Sequence, residues 1–141
     1  VKTSGTAGGT FTSGAWQTRD LNTEDSDTGG FCTLSSNQFT LAAGTYKIRG
    51  IAPAIDVNSH KAKLYNITDA SDVIIGTSNY SDLTGNGFSF SEVIGQFTIA
   101  SSKTFELQHR CNTTKATIGF GSAAALGVDE VYSVVELWKV G

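Results

Sequence analysis

Residues 37–54 read NQFTLAAGTYKIRGIAPA, and this stretch decides the fold class. Phe39 and Leu41 alternate with polar residues, and the small residues 42–44 then mark a tight turn. Beyond the turn, alternate residues from Tyr46 onward face one side, and the residues between them face the other. Alternation on both sides of a Gly-containing turn is typical of a β-hairpin with one buried face. We therefore predict a short strand paired through this turn with a longer, half-buried strand.

The rest of the chain repeats this pattern in short segments separated by turn-forming residues. No segment shows a helical period, and no internal repeat is present. Such segments are typical of an antiparallel sandwich or jelly roll. We predict an all-β, antiparallel jelly-roll sandwich over residues 15–141, preceded by a flexible lead-in at residues 1–14 with Phe11 as an anchor. The predicted strands outside the hairpin span residues 16–22, 61–68, 73–78, 88–100 (as one strand or two), 104–112, 116–120 and 131–140.

The composition limits the classes of function. Charged residues make up 16% of the 141 positions, below the ~25% usual for soluble domains. The net charge is −3 and no basic stripe occurs, which argues against a nucleic-acid partner. No apolar run approaches the ~18 residues of a membrane helix, and no signal peptide is visible. Since the chain contains no methionine, we expect that it is processed or is the end of a longer protein.

The two cysteines lie far apart in the sequence. Cys111 shares the apolar face of a predicted strand with Phe105 and Leu107, whereas Cys32 lies in a Gly-rich connection. A domain of this size does not need a disulfide, although one between the two residues is possible. We predict that both are reduced thiols.

The last predicted strand, residues 131–140, is apolar on both faces. Val131, Val135 and Leu137 lie on one face, and Trp138 lies on the other. A strand that is apolar on both sides is covered on both sides. We predict that the core covers one face and another copy of the chain the other. We assign Val131, Val135 and Leu137 to the interface between copies, with a covering loop of the same chain as the alternative.

The titratable residues form no recognisable catalytic or metal-binding motif. His109 lies on an apolar strand face, which predicts a core or interface histidine, and His60 is expected to be solvated at the start of a strand. No nucleophile elbow and no Cys/His metal spacing occurs. We therefore predict no enzyme activity and no cofactor, although the sequence remains compatible with a pair of catalytic carboxylates.

Loops supply the candidate ligand-binding residues, because the sheet faces are assigned to the core and to a neighbouring copy. If every strand crosses the sandwich, both termini lie at one end and most acidic loops lie at the other. At that acidic end the candidates are Asp25, Asp27, Asp69, Asp72, Asp129 and Glu130. Asp25 and Asp27 are also candidates for a calcium site, and a role in turns and solubility is the alternative for all six. The second choice, at the opposite end, is His60 with Tyr80, whose ring could pack against a sugar.

Residues 37–54 also resemble a known family. They are similar to the complement-head and tumour-necrosis-factor-like jelly rolls, and a version close to this one occurs in bacteriophage tail-fibre tips and receptor-binding proteins. The turn at Gly44 and the strand at Leu64 match the broader family pattern. The chain departs from the animal members in lacking a collagen stalk, and it lacks the His-x-His pair with which some phage tips hold iron. The similar segments are residues 9–22, 34–54, 59–69, 97–110 and 131–140.

The resemblance implies a homotrimer whose last strand lies near a three-fold axis. It implies an extracellular, virion-borne domain at the tip of a tail fibre, which caps the fibre or binds a bacterial surface receptor, either glycan or protein. Several weak sites on one trimer would raise avidity. The alternatives are a secreted lectin-like adhesin module of the same fold and a fibre-attached polysaccharide depolymerase.

Overall fold

A computed structural model describes residues 1–85 and 87–140, and these residues contain nine β-strands and no helix. The strands form two antiparallel sheets that enclose one main core, which confirms the predicted all-β sandwich. They are β1 (Gln17–Thr18), β2 (Cys32–Ser35), β3 (Gln38–Leu41), β4 (Gly44–Ile55), β5 (Asn58–Asn66), β6 (Ser71–Ser81), β7 (Phe88–Ile99), β8 (Lys103–Cys111) and β9 (Val134–Val140).

The two sheets differ in size. The larger sheet has the order β2-β3-β8-β5-β6, and β1 pairs with β8 further along the same edge that β3 occupies. The smaller sheet has the order β7-β4-β9, in which the long strand β4 is central. One consequence is that β6 and β7 each have a free edge on the same side of the sandwich, where they lie against each other.

Three of the antiparallel pairs are nested within one another along the chain. β5 pairs with β6 directly across a turn, β4 pairs with β7 around them, and β3 pairs with β8 around all four. The β4–β7 pair belongs to the smaller sheet and the other two to the larger sheet. The chain therefore passes repeatedly from one sheet to the other.

The turn at Ala42 and Ala43 corrects the predicted hairpin. Both strands are present, but β3 pairs with β2 and β8, whereas β4 pairs with β7 and β9. The turn carries the chain from one sheet to the other, and Leu41 and Tyr46 point into the same core from opposite sheets. Alternation reveals a buried face but not the partner strand, so the same pattern fits both arrangements.

Four other sequence-based strand assignments also need correction. β2 occupies the connection that was expected around Cys32, and β1 is limited to two residues. Residues 116–120 form turns and not a strand. The last strand begins at Val134, so Val131 lies outside it. The residues outside the strands, 16 and 19–22 beside β1 and 131–133 before β9, belong to the connections.

Residues 1–14 are fastened to the domain at several places. The backbones of Lys2 and Glu130 form an isolated antiparallel β-bridge, and those of Phe11 and Lys115 form another. Phe11 is fully buried in a second, smaller hydrophobic cluster with Val57 and other residues. It is thus an anchor, as predicted, but the segment it anchors is packed against the domain along much of its length.

The sandwich has two unlike ends. At the turn end, short turns at residues 42–43, 67–70 and 100–102 meet, and Lys103 Nζ lies 2.6 Å from Asp69 Oδ1. At the loop end, residues 112–133 and the N-terminal segment pack together. Val140 pairs with Thr45 at the turn end, so the first and last described residues lie at opposite ends, contrary to the prediction.

Candidate functional site

The six acidic candidate residues do not share one end of the molecule. Asp69 lies in the turn between β5 and β6 at the turn end, Asp72 follows at the start of β6, and Asp27 contacts Cys32 nearby. Glu130 lies at the loop end, where its backbone forms a β-bridge with that of Lys2, and Asp129 precedes it. The predicted grouping is wrong because residues 116–120 form turns, so the chain does not cross the sandwich between β8 and β9.

The carboxylates at the turn end are mostly engaged within the chain. Asp69 and Asp72 form ion pairs with Lys103 and Lys63. Asp27 accepts a hydrogen bond of 2.9 Å from the backbone N–H of Cys32, and such bonds lower the pKa of its carboxyl. Asp25 is exposed. Within residues 1–85 and 87–140, no three His, Cys, Asp or Glu side chains are grouped to hold a metal ion, so the calcium hypothesis gains no support.

Glu130 fastens the loop end. Its Oε1 accepts hydrogen bonds from the backbone N–H groups of Gly5 at 3.0 Å and Ala125 at 2.8 Å, and its Oε2 accepts one from Ala124 at 3.0 Å. These three bonds lower the pKa of the carboxyl. The side chain thereby joins the N-terminal segment to the loop before β9, and it is not free to bind a ligand.

His60 is buried, which corrects the expectation of a solvated residue. It lies within β5 and is 3% exposed. Its Nδ1 lies 2.9 Å from Nε2 of His109, and its Nε2 lies 2.7 Å from Oγ of Ser89. No sequence pattern predicts these contacts, because strand pairing brings His109 to His60 and the opposite sheet brings Ser89.

A buried arginine lies close to this histidine pair. Arg19 is 2% exposed, and its guanidinium donates hydrogen bonds to Ser133 Oγ and to the carbonyl oxygens of Pro53 and Phe120. It also lies over the ring of Phe120 at 4.1 Å. Burial lowers its pKa to about 9. Arg19 thus joins β1, β4 and the loop before β9 without a carboxylate in its hydrogen-bond set.

Of the two residues in the second candidate site, only Tyr80 lies at the surface. It is 59% exposed on β6, so its ring is available to a ligand or a neighbouring chain. His60 is not available beside it, because it is 3% exposed in the core. The structure therefore separates the two residues of the second choice into one surface residue and one core residue.

The prediction of which face of β9 meets the core was wrong. Val135 and Leu137 are partly buried and pack against the main core, so they form the inner face. Trp138 is 52% exposed on the outer face. Val131, also proposed for the interface, precedes the strand and is exposed. The sequence predicted two apolar faces correctly but could not show which of them meets the core.

The outer face of the smaller sheet carries an apolar surface. On β9 it continues from Val134 past Trp138 to Val140, and on β7 it includes Ile94, which is 60% exposed. Its charges are balanced, because Arg49 on β4 forms ion pairs with Glu92 and Glu136 of the neighbouring strands and Lys47 supplies a second positive charge. We call this surface the outer apolar face, defined by Ile51, Phe90, Ile94, Val134, Trp138 and Val140.

A second exposed apolar group adjoins it at the free edges of β6 and β7. Ile75 and Tyr80 on β6 are 54% and 59% exposed, and Phe88, which is 61% exposed, lies on the same face of β7 as Phe90 with the two ring centroids 6.4 Å apart. We call these three residues the edge patch. Together the two surfaces hold most of the large exposed apolar side chains outside the loops.

No protein-family description matches the chain, and no curated protein matches it. In the part of the chain that the structure describes, no helix is long and apolar enough to cross a membrane.

Proposed function

We propose that this chain is a non-catalytic tip domain of a bacteriophage tail fibre, of the jelly-roll type, that assembles as a homotrimer and binds a bacterial surface receptor, most simply a glycan. The observation that carries the proposal is the outer apolar face of the smaller sheet. The resemblance of residues 37–54 and the other similar segments to phage fibre tips supports the biological setting.

The nested strand pairing supports the jelly-roll assignment. A jelly roll can be described as one long hairpin rolled so that successive pairs fall in alternate sheets. The β5–β6, β4–β7 and β3–β8 pairs follow this order, with the middle pair in the smaller sheet.

The occupant we assign to the outer apolar face is another copy of the same chain. Exposed apolar patches of this kind mark interaction surfaces in soluble proteins. Lys47 and Arg49 on the face are matched in number by Glu92 and Glu136, so the face carries no net charge that would require a partner of opposite charge.

The presence of the edge patch favours a closed ring of copies and not a two-fold dimer. In a heterologous interface, one surface of each copy contacts a different surface of the next, and the ring closes if the rotation allows it. The outer apolar face and the edge patch are two such surfaces on adjoining sides of one sandwich. Contact of the face of one copy with the edge of the next would cover both apolar groups at once.

The proposal is tested first by the oligomeric state. Light scattering after gel filtration should give three times the mass of the 14.8 kDa chain. Trp138→Ser should shift the mass towards one chain while the circular dichroism spectrum is retained, because Trp138 is 52% exposed on the folded chain. Leu126→Ser is the matched control, since Leu126 is 80% exposed in a loop and lies outside both surfaces. A stable monomer at micromolar concentration would contradict the trimer.

Receptor binding is tested separately. The fluorescently labelled protein should bind cells of a susceptible bacterium, and removal of surface polysaccharide from the cells should reduce that binding. An assay for release of reducing ends from the same polysaccharide distinguishes binding from cleavage. Release of sugar would favour the depolymerase, whereas binding without release supports the proposed tip domain.

A further inference from the structure

An open groove crosses the outer face of the larger sheet, on the side away from the outer apolar face. Its volume is about 290 Å³. Trp16, Arg110, Lys61 and Ser78 line it from four neighbouring segments of the sheet, and Asn112 lies at one end. The pairing places them side by side, because Lys61 is opposite both Arg110 on β8 and Ser78 on β6. Trp16 precedes Gln17, which pairs with the residue before Arg110.

The groove contains two like charges in direct cross-strand register. Lys61 and Arg110 are Cα partners of β5 and β8, and both side chains point outward because His60, Ala62 and their neighbours fill the core side. Like charges directly opposite each other on paired strands are unfavourable. Among the described residues no carboxylate lies within 4.0 Å of either cation, and none lines the groove.

Lys63, the next outward-facing residue of β5, is a cation with partners within the same sheet. Lys63 is 6% exposed, forms an ion pair with Asp72 and lies beneath the rings of Trp16 and Tyr65, at 4.3 and 4.9 Å from their centroids. Two residues away, Lys61 and Arg110 have neither a carboxylate nor an aromatic cover of this kind. An anion bound between them would remove the repulsion that the fold leaves in place.

The remaining lining fits a sugar ring. Trp16 is half-buried, so part of its indole is accessible at the groove, and an indole offers a flat apolar surface. Ser78 and Asn112 are exposed and supply hydroxyl and amide groups for hydrogen bonds. A shallow site of one aromatic side chain, two cations and several neutral polar groups suits a polar ligand with a negative charge.

We infer that this groove binds an anionic sugar, in which Lys61 and Arg110 hold a carboxylate or phosphate group while the ring packs against Trp16. The inference rests on the proposed function for the source of the sugar, a bacterial surface glycan. The site lies on a sheet face, unlike the loop sites expected from the sequence, and it belongs to the larger sheet, whereas the outer apolar face belongs to the smaller one.

The first test compares ligands that differ only in charge. Isothermal titration of the intact protein uses an oligogalacturonide, its neutral methyl ester, and a phosphorylated mannose oligosaccharide. The acid should bind at least tenfold more tightly than its ester, and its affinity should fall as NaCl is raised, because screening weakens exposed charge pairs. The phosphorylated sugar shows whether the groove prefers phosphate or carboxylate. Equal binding of acid and ester, or binding of neither charged probe, would overturn the inference.

The second test uses matched variants. Lys61→Gln and Arg110→Gln should each weaken binding of the preferred charged probe by about tenfold, while the melting temperature stays equal to or above that of the parent because the repulsion is relieved. Lys139→Gln is the control, since it removes the same charge from an exposed position on the other sheet and should leave binding unchanged. Unchanged binding in both groove variants would refute the site.

Cell binding separates the two proposals. If the parent and Arg110→Gln bind bacterial cells equally well, the groove is not the receptor site and the inference fails, while the tip-domain proposal stands. If the groove binds the charged probe and its variants do not, but the protein binds no bacterial cells, the inference stands and the proposed function fails.

Discussion

The individual residues with the most unusual surroundings are three basic side chains inside the loop end. Arg19, His60 and His109 are at most 3% exposed, and Arg19 has no carboxylate among its hydrogen-bond partners. Burial, aided by the charge of Arg19, lowers the pKa of His60 to about 4. Burial and the same charge lower the pKa of His109 well below its usual value. Both histidines are therefore neutral in the folded protein at neutral pH.

This burial predicts loss of stability in mild acid. The unfolded chain binds protons at both histidines below about pH 6.5, whereas the folded chain does not until about pH 4 for His60. The free energy of unfolding should therefore fall by about 1.4 kcal/mol per pH unit for each histidine across this window. Urea unfolding at several pH values measures the slope. His60→Gln should reduce it by about half, and an unaltered slope in this variant would contradict the assignment.

Glu130 gives a second prediction for a single residue. Its folded pKa is lowered by three backbone N–H donors, so the stability it contributes is present above the unfolded pKa of about 4.3 and is lost as the pH falls through the folded value. Glu130→Gln should lower the melting temperature at pH 7 and speed hydrogen exchange at Gly5, Ala124 and Ala125, because the amide offers one acceptor oxygen in place of two. Asp129→Asn, at the exposed neighbouring position, should change neither quantity.

At the level of elements, the contact between β6 and β7 closes the open side of the sandwich. The two strands belong to different sheets and are joined by side chains, since Ser91 Oγ donates to the carbonyl oxygen of Thr77 at 2.6 Å and the Glu92 N–H donates to Thr77 Oγ1 at 3.0 Å. Gly76 permits this approach. A Cβ at this position would lie 2.7 Å from the Ala62 carbonyl oxygen and 2.8 Å from that of Glu92.

Gly76→Ala should therefore destabilise the fold by about 1–3 kcal/mol, because two backbone segments would have to move apart. Gly95→Ala, on β7, is the matched comparison. There an added Cβ would meet the side chain of Ile74 at 2.8 Å, and a side chain can rotate away. Urea unfolding of both variants measures the difference, and equal losses would show that the backbone contact at Gly76 is not what limits the approach.

The elements also show what the sequence could and could not predict. Alternation identified the inward residues of β4, β5 and β8, including Tyr46, Leu64 and Leu107, because burial of one face is a local pattern. It could not predict that β3 and β4 belong to different sheets, since partner choice depends on distant strands. The burial of His60 and the groove beside Lys61 were missed for the same reason, because strand pairing creates both.

For the whole molecule, the two separate hydrophobic clusters account for the free cysteines. Cys32 packs against the main cluster and Cys111 belongs to the smaller one at the loop end, and both are free thiols, as predicted. Burial raises the pKa of each thiol to about 11. Very little thiolate is therefore present at neutral pH, and the thiolate is the reactive form.

Iodoacetamide at pH 7 should accordingly label the native protein slowly and label both cysteines after unfolding in urea. Intact mass spectrometry counts the modified thiols. The melting temperature should be the same with and without a reducing agent, because no disulfide constrains the unfolded chain. A mass without alkylation after unfolding would show a disulfide instead.

The nested arrangement of strand pairs implies an order of folding. Closing a long loop costs more conformational entropy than closing a short one, so the β5–β6 pair across residues 67–70 can form first. Once β5 and β6 have paired, the loop that must close to pair β4 with β7 is effectively shorter, and that pair does the same for β3 and β8. Folding should take from about milliseconds to seconds, as in other β-sandwiches rich in non-local pairs. In stopped-flow experiments, substitutions beside residues 67–70 should slow folding, whereas substitutions in β1 should mainly speed unfolding.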